Sequence, residues 1–216
     1  MKNVLILGAY GQIARIVEER LLQEQPDTHL TLYLRNSSRL DYLADNPRVT
    51  IVDGDIHNTA ILDKAMKGQD IVYISNVDHD PDQAETRDVI AAMKENDVKR
   101  VIATNILGIY NEVGGEFGRW NAEVVGQAGI ESAAKADELL EHSGLVWTTM
   151  RLPWLNDRDE VKYALTQKGQ PFDGVSGSRQ SIADVVVRII KDPSFLADQS
   201  VGIADPDTQG RTRPLY

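Results

Sequence analysis

The chain has 216 residues, 42% of them hydrophobic, enough to bury the core of a single α/β domain. Its net charge of −10 and pI near 4.9 count against a general affinity for nucleic acid, and no apolar run approaches the ~18 residues that span a bilayer. With no cysteine, the chain has no disulfide, thiolate nucleophile or cysteine zinc site. The first residues, Met-Lys-Asn, run directly into an apolar stretch. A signal peptide is therefore not expected, and a cytoplasmic protein with a small-molecule substrate is.

In chain order, Val4–Leu7 reads as a buried strand and Gln12–Gln25 as an amphipathic helix, joined by Gly8-Ala-Tyr-Gly11-Gln-Ile-Ala14. A glycine at the strand end permits a sharp turn, a second lets a pyrophosphate approach the main chain, and a small third residue allows close helix packing. The amides of Gln12 and Ile13, at the positive end of the helix, are the expected phosphate donors. A strand at Leu30–Leu34 completes a βαβ unit.

The pattern continues with strands at Val49–Val52, Ile71–Ser75, Val101–Thr104 and Val146–Leu152. Helices are expected at Ser38–Ala44, Thr59–Met66, Gln83–Asn96 and Glu131–His142. This alternation predicts a doubly wound parallel sheet over the whole chain, with residues 153–216 contributing a small C-terminal substrate-pocket segment. In that segment fall a short Tyr163–Thr166 stretch, a helix at Ser181–Ile190 and a last strand near Val201–Ile203.

Ligands of such sheets lie beyond the carboxyl ends of the strands, which directs attention to the loops there. Where an acidic residue commonly meets the adenosine ribose, this chain has Arg35, followed by Ser37, Ser38 and Arg39. Two guanidinium groups and two hydroxyls suit a 2′-phosphate and favour NADP(H), with NAD(H) as second choice; the alternative is a solvated basic turn leading into a helix with Ser as its cap. Tyr10 flanks the same phosphate or lies on the surface. Asp55 and Ile56 fall where adenine would lie, Asn58 reads as a helix cap, and Ser75-Asn76-Val77 would line the ribose path. Asp78-His79-Asp80 and the Asp53–His57 run match no zinc or calcium spacing.

The Gly8/Gly11/Ala14 turn, Asp53-Gly-Asp55, Val101-Ile-Ala-Thr104-Asn105, Ser143 to Pro153, and Ser178-Arg179 before Ile182-Ala-Asp-Val185 together resemble the short-chain dehydrogenase/reductase superfamily, in its atypical, NmrA-like branch. That resemblance implies a Rossmann fold and an NAD(P) cofactor. The superfamily's catalytic tyrosine stands four residues before a lysine; Lys135 matches the lysine, but Glu131 takes the tyrosine's place. No tyrosine in the chain has a lysine four residues on.

Lys135 is then expected either to hold the nicotinamide ribose or to pair with Glu131, and Thr104 to orient a substrate. Tyr110, in the loop after the fifth strand, is a candidate proton donor at a non-standard position. Trp120, Trp154, Phe117 and Tyr110 form either an aromatic pocket wall or ordinary core, and Gly114–Gly118 either a mobile lid or a surface loop. Two functions compete: an NADP(H)-dependent oxidoreductase acting on a planar or carbonyl acceptor, and an NAD(P) redox sensor. An epimerase or dehydratase is a weaker third. The helices at 83–96 and 131–142 are candidate homodimer surfaces by analogy with related folds.

Overall fold

Four consecutive buried apolar side chains, Val4 to Leu7, make the first strand, β1 (Lys2–Leu7), a central element of the sheet. A computed structural model describes residues 1–216 and gives β1 five parallel companions that rise in the same sense: β2 (Thr28–Leu34), β3 (Val49–Asp53), β4 (Ile71–Ile74), β5 (Arg100–Ile106) and β6 (Val146–Leu152). A later strand, β10 (Gln199–Ala204), pairs parallel with β6, and β8 (Ala164–Gln167) closes the edge antiparallel to β10. The order β3-β2-β1-β4-β5-β6-β10-β8 reverses direction between β1 and β4. At that switch point the flanking connections leave to opposite faces and a crevice opens.

Helices cover both faces. On one, α1 (Gln12–Glu24) and α6 (Arg179–Lys191) pack Ile13, Val17, Leu21, Val186 and Ile190 against Val4, Ile6 and Leu32. On the other, α2 (Thr59–Met66), α3 (Ala84–Glu95) and α5 (Gln127–Glu141) bring Leu62, Met66, Val89, Met93 and Leu140 onto Leu5, Leu7 and Val72. None of these helices is long and apolar enough to cross a membrane.

Several expected boundaries change. Residues Ser37–Leu43 form a 3-10 helix rather than an α-helix, because Asn36 adopts a left-handed conformation and Leu40 alone is buried. Gly114–Gly118 is neither lid nor surface loop: Gly115 starts a helix, α4 (Gly115–Val125), and Gly118 lies so close to the Val113 carbonyl that a Cβ would meet it at 2.1 Å. The helix expected from Glu131 begins at Gln127. Two short strands, β7 (Trp154–Asn156) and β9 (Ser176–Ser178), make a separate parallel pair.

One core residue is out of character. Glu18, on the buried face of α1, is 2% exposed and neither carboxylate oxygen has a partner. Desolvation raises its pKa from 4.5 to about 8, against the milder pull of Arg15. The folded protein therefore holds a proton that the unfolded chain releases. Stability should fall as pH rises from about 4.5 to about 8, by up to about 1.4 kcal/mol per pH unit from this group, and level off above. Glu18→Gln is expected to flatten the decline in urea midpoint between pH 5.5 and 8; parallel profiles for the two proteins would refute the assignment.

Candidate functional site

The site is built on the turn that ends β1. Gly8 has φ 76°, and a Cβ there would lie 2.7 Å from the Ser75 hydroxyl. That hydroxyl, at the end of β4, donates to the main-chain carbonyls of Leu7 and Gly8, each at 2.8 Å. Gly11 is confined less severely, its Cβ position 3.2 Å from the Gly8 carbonyl. The two strands on either side of the switch point are thus stitched together, and α1 starts directly above the crevice.

From this turn a groove of about 420 Å³ runs outward over β2 and β3. Gly8, Tyr10, Gly11, Arg35, Asp55, Ile56 and Asn76 all line it, as does Arg39. Arg35 is 80% exposed at the end of β2, its guanidinium 3.8 Å from the Asp55 carboxylate. Arg39 donates to the Arg35 carbonyl and lies 4.6 Å from the Tyr10 ring centroid, with Arg15 at 4.9 Å. Tyr10 is therefore the aromatic partner of two cations, worth about 0.5–1 kcal/mol each at an exposed site. Arg15 went unnoticed in the sequence, since its approach to Tyr10 depends on the angle at which α1 leaves the turn.

Ser37 is not on the groove's lining; its N–H donates to Asp53, whose carboxyl is held below the usual range mainly by that bond. The Ser38 hydroxyl is taken up by Asn36. Gly54 is required because the Tyr33 ring lies beneath it, and Tyr33 donates to the Asp55 carbonyl at 2.7 Å. Asn58 caps α2 by accepting from the Ile61 N–H. Asn76 donates to Glu85, whose pKa is raised chiefly by burial, and its own Oδ1 is buried without a partner.

A second space of about 300 Å³ shares Gly11 with the first and runs toward the ends of β5 and β6. Gln12, Ile13 and Thr104 line it with Asn105, Pro153 and Leu155. Thr104 is buried and donates to the Tyr73 hydroxyl at 3.4 Å. Tyr73 is fully buried, and desolvation raises its pKa.

The other two expected catalytic side chains are elsewhere. Lys135 is exposed on the outer face of α5, where it borders two separate spaces of about 270 and 260 Å³ lined also by His79, Pro81 and Gln83, and it lines neither groove. Its orientation follows from helix periodicity, which commits Ser132, Ala133, Ala136 and Leu140 to the buried side. Nor does it pair with Glu131, which accepts from Gln127. Tyr110 also misses the grooves. Its hydroxyl donates to Asp137, and burial together with that carboxylate raises its pKa.

The reason is a buried ion pair, Arg151 to Glu112 at 2.7 Å. Glu112 also accepts from the N–H groups of Gly108 and Tyr110, so the loop after β5 is pinned toward β6. Of the two readings of the aromatic residues, core packing holds: Phe117 stacks on Trp120, Trp120 meets Trp154 at a tilt, the two half-buried tryptophans pack against a cluster containing Phe117, Phe172 and Val175, and Trp154 donates to Asn121.

The glycine cradle and the unpartnered Asn76 oxygen fit a dinucleotide, and known proteins agree. The family model for NAD(P)H-binding proteins matches residues 8–193. A short-chain dehydrogenase/reductase from Veillonella parvula, solved in complex with NADP, is 25% identical and superposes with a TM-score of 0.92 over 100% of this chain and 99% of that one. A Rossmann-fold NAD(P)-binding family protein from Shigella flexneri is 37% identical, with a TM-score of 0.81 over 100% of this chain and 99% of its own. Quinone oxidoreductase 2 of Escherichia coli K12 is 23% identical over 197 residues. That match covers 88% of this chain but 64% of the relative, so the chain spans less than two thirds of the relative's length. The chain belongs to the NAD(P)H-binding family of Rossmann-fold proteins, among the atypical short-chain dehydrogenases/reductases, and NAD(P)H is its cofactor.

Proposed function

We propose that the protein is an NADP(H)-dependent oxidoreductase that passes hydride to a small planar or carbonyl acceptor. The observation that carries this reading is the adjacency of the two grooves, which share Gly11, the first with a basic end at Arg35 and Arg39 and the second with the Thr104 hydroxyl in its lining. The quinone oxidoreductase relative makes a quinone the first acceptor to try.

Reduced nicotinamide, when bound, supplies the hydride. The chain's own task is to hold and orient. Arg35 and Arg39 bind the 2′-phosphate beside the Ser37 turn, while the Gln12 and Ile13 amides bind the pyrophosphate. Asp55 and Ile56 border the adenine, with Tyr10 at the groove's rim. Asn76 offers its free Oδ1 to a ribose hydroxyl.

Thr104 positions the acceptor. Turning the Tyr73 phenol toward Thr104 leaves the threonine proton for an acceptor oxygen, and the raised pKa keeps the phenol neutral throughout. Such a pair orients an oxygen without supplying a proton of its own. A quinone takes that proton from water, so proximity and orientation account for the rate without a Tyr–Lys pair. The competing sensor reading has the missing pair in its favour; the second groove favours turnover.

Loss of NADPH absorbance with a water-soluble quinone tests the proposal: sustained turnover is expected, and tight binding without turnover of any acceptor would support the sensor instead. Arg35→Asp is expected to lower kcat/KM for NADPH at least tenfold, about 1.4 kcal/mol, with little change for NADH. An unchanged preference would refute the 2′-phosphate assignment. In the same assay Thr104→Val should lower kcat/KM for the quinone about tenfold, whereas Lys135→Ala and Tyr110→Phe should stay within about twofold of wild type. The reverse pattern would return catalysis to the side chains named by resemblance.

A further inference from the structure

The second groove is apolar at Val77, Ile106, Leu152, Pro153 and Leu155, and a single charged side chain reaches it, Arg179. No carboxylate lines it. On a chain of net charge −10, the one formal charge in this groove's lining is positive.

The backbone fixes Arg179 there. Parallel pairing of β9 with β7 sets Ser178 opposite Asn156, directly after the Pro153 turn, and Gly177 packs against the Pro153 ring. Ser178 then caps α6 by accepting from the Ser181 N–H at 3.0 Å, which makes Arg179 the first residue of a 13-residue helix. The positive end of that helix reinforces the guanidinium.

The side chain is 19% exposed, yet one of its five N–H groups has a protein acceptor: Nη1 donates to Asp157 at 2.8 Å. That carboxylate is 81% exposed. The remaining N–H groups are not buried, so the guanidinium can exchange a solvent-facing carboxylate for another anion, and its planar fork suits a carboxylate or phosphate.

We propose that Arg179 is the specificity determinant of the acceptor site, where it binds an anionic group, carboxylate or phosphate, carried by a planar acceptor. Asp157 holds the guanidinium in place until that group arrives. The inference rests on the oxidoreductase reading, because it takes the second groove as the acceptor's seat.

FMN and riboflavin share one ring system and differ by a phosphate, so they isolate the effect. Flavin fluorescence is titrated with protein saturated with NADP+. FMN should bind at least tenfold more tightly than riboflavin. Arg179→Gln should shrink that gap below threefold with riboflavin and NADP+ affinities unchanged, and Arg179→Lys should restore part of it. Equal affinities in the wild type, absence of flavin binding, or a gap that survives Arg179→Gln would overturn the proposal. A loss of NADP+ affinity in Arg179→Gln would also overturn it, by giving the arginine to the cofactor. These failures leave NADPH-dependent turnover of quinones intact, whereas failure of the oxidoreductase reading abolishes turnover of every acceptor and leaves the FMN preference standing.

Discussion

The close approach of Ser75 to the Gly8 turn governs the rest of the molecule. With φ 76° and a hydroxyl 2.7 Å from where its Cβ would be, position 8 admits no side chain, and the same hydroxyl ties the end of β4 to the end of β1. Those two strands flank the point where the sheet order reverses, so this contact sets both the width of the crevice and the position from which α1 points its amides into it. Cofactor binding then depends on main chain more than on side chains. On the proposed reading, the choice between phosphorylated and unphosphorylated ribose falls to the side chains of Arg35 and Arg39, which line the groove beyond the turn.

The far half of the crevice is shaped by a different restraint. Arg151, wholly buried in β6, holds Glu112, and Glu112 in turn holds the amides of Gly108 and Tyr110. Breaking such a pair leaves an uncompensated buried charge, so the loop after β5 stays drawn away from the groove. Tyr110 is turned toward Asp137, and the aromatic residues behind it become a small third core. What lines the second groove is the end of β5, with Thr104, the segment after Pro153, and Arg179 at the start of α6. On the proposed reading such a site would align reactants and leave the difficult chemistry to the nicotinamide.

The strands and the long helices were legible because their signals are local: β-branched runs for β1 to β6, and apolar residues at helical spacing for α1, α2, α3 and α6. Gly8, Gly11, Arg35, Asp55 and Asn76 were legible because a strand-end position already says which loop faces the crevice. The misses have physical reasons too. Three-residue strands such as β7 and β9 are too short for alternation to show, and Gly114–Gly118 hides a helix start behind residues that usually mark loops. Lys135 was placed by its spacing from a missing tyrosine, while the helix face that carries it is set by Ser132, Ala136 and Leu140. Glu18 gave no signal at all, since a glutamate within an amphipathic helix is ordinarily solvated.

On the proposed reading, the Arg35 and Arg39 end of this crevice recognises a phosphate on the adenosine ribose. Calorimetric titration of the protein with 2′,5′-ADP and with 5′-AMP, at one fixed salt concentration, tests it without involving the nicotinamide or any acceptor. The account predicts at least tenfold tighter binding of 2′,5′-ADP, about 1.4 kcal/mol. Equal affinities for the two nucleotides would contradict it.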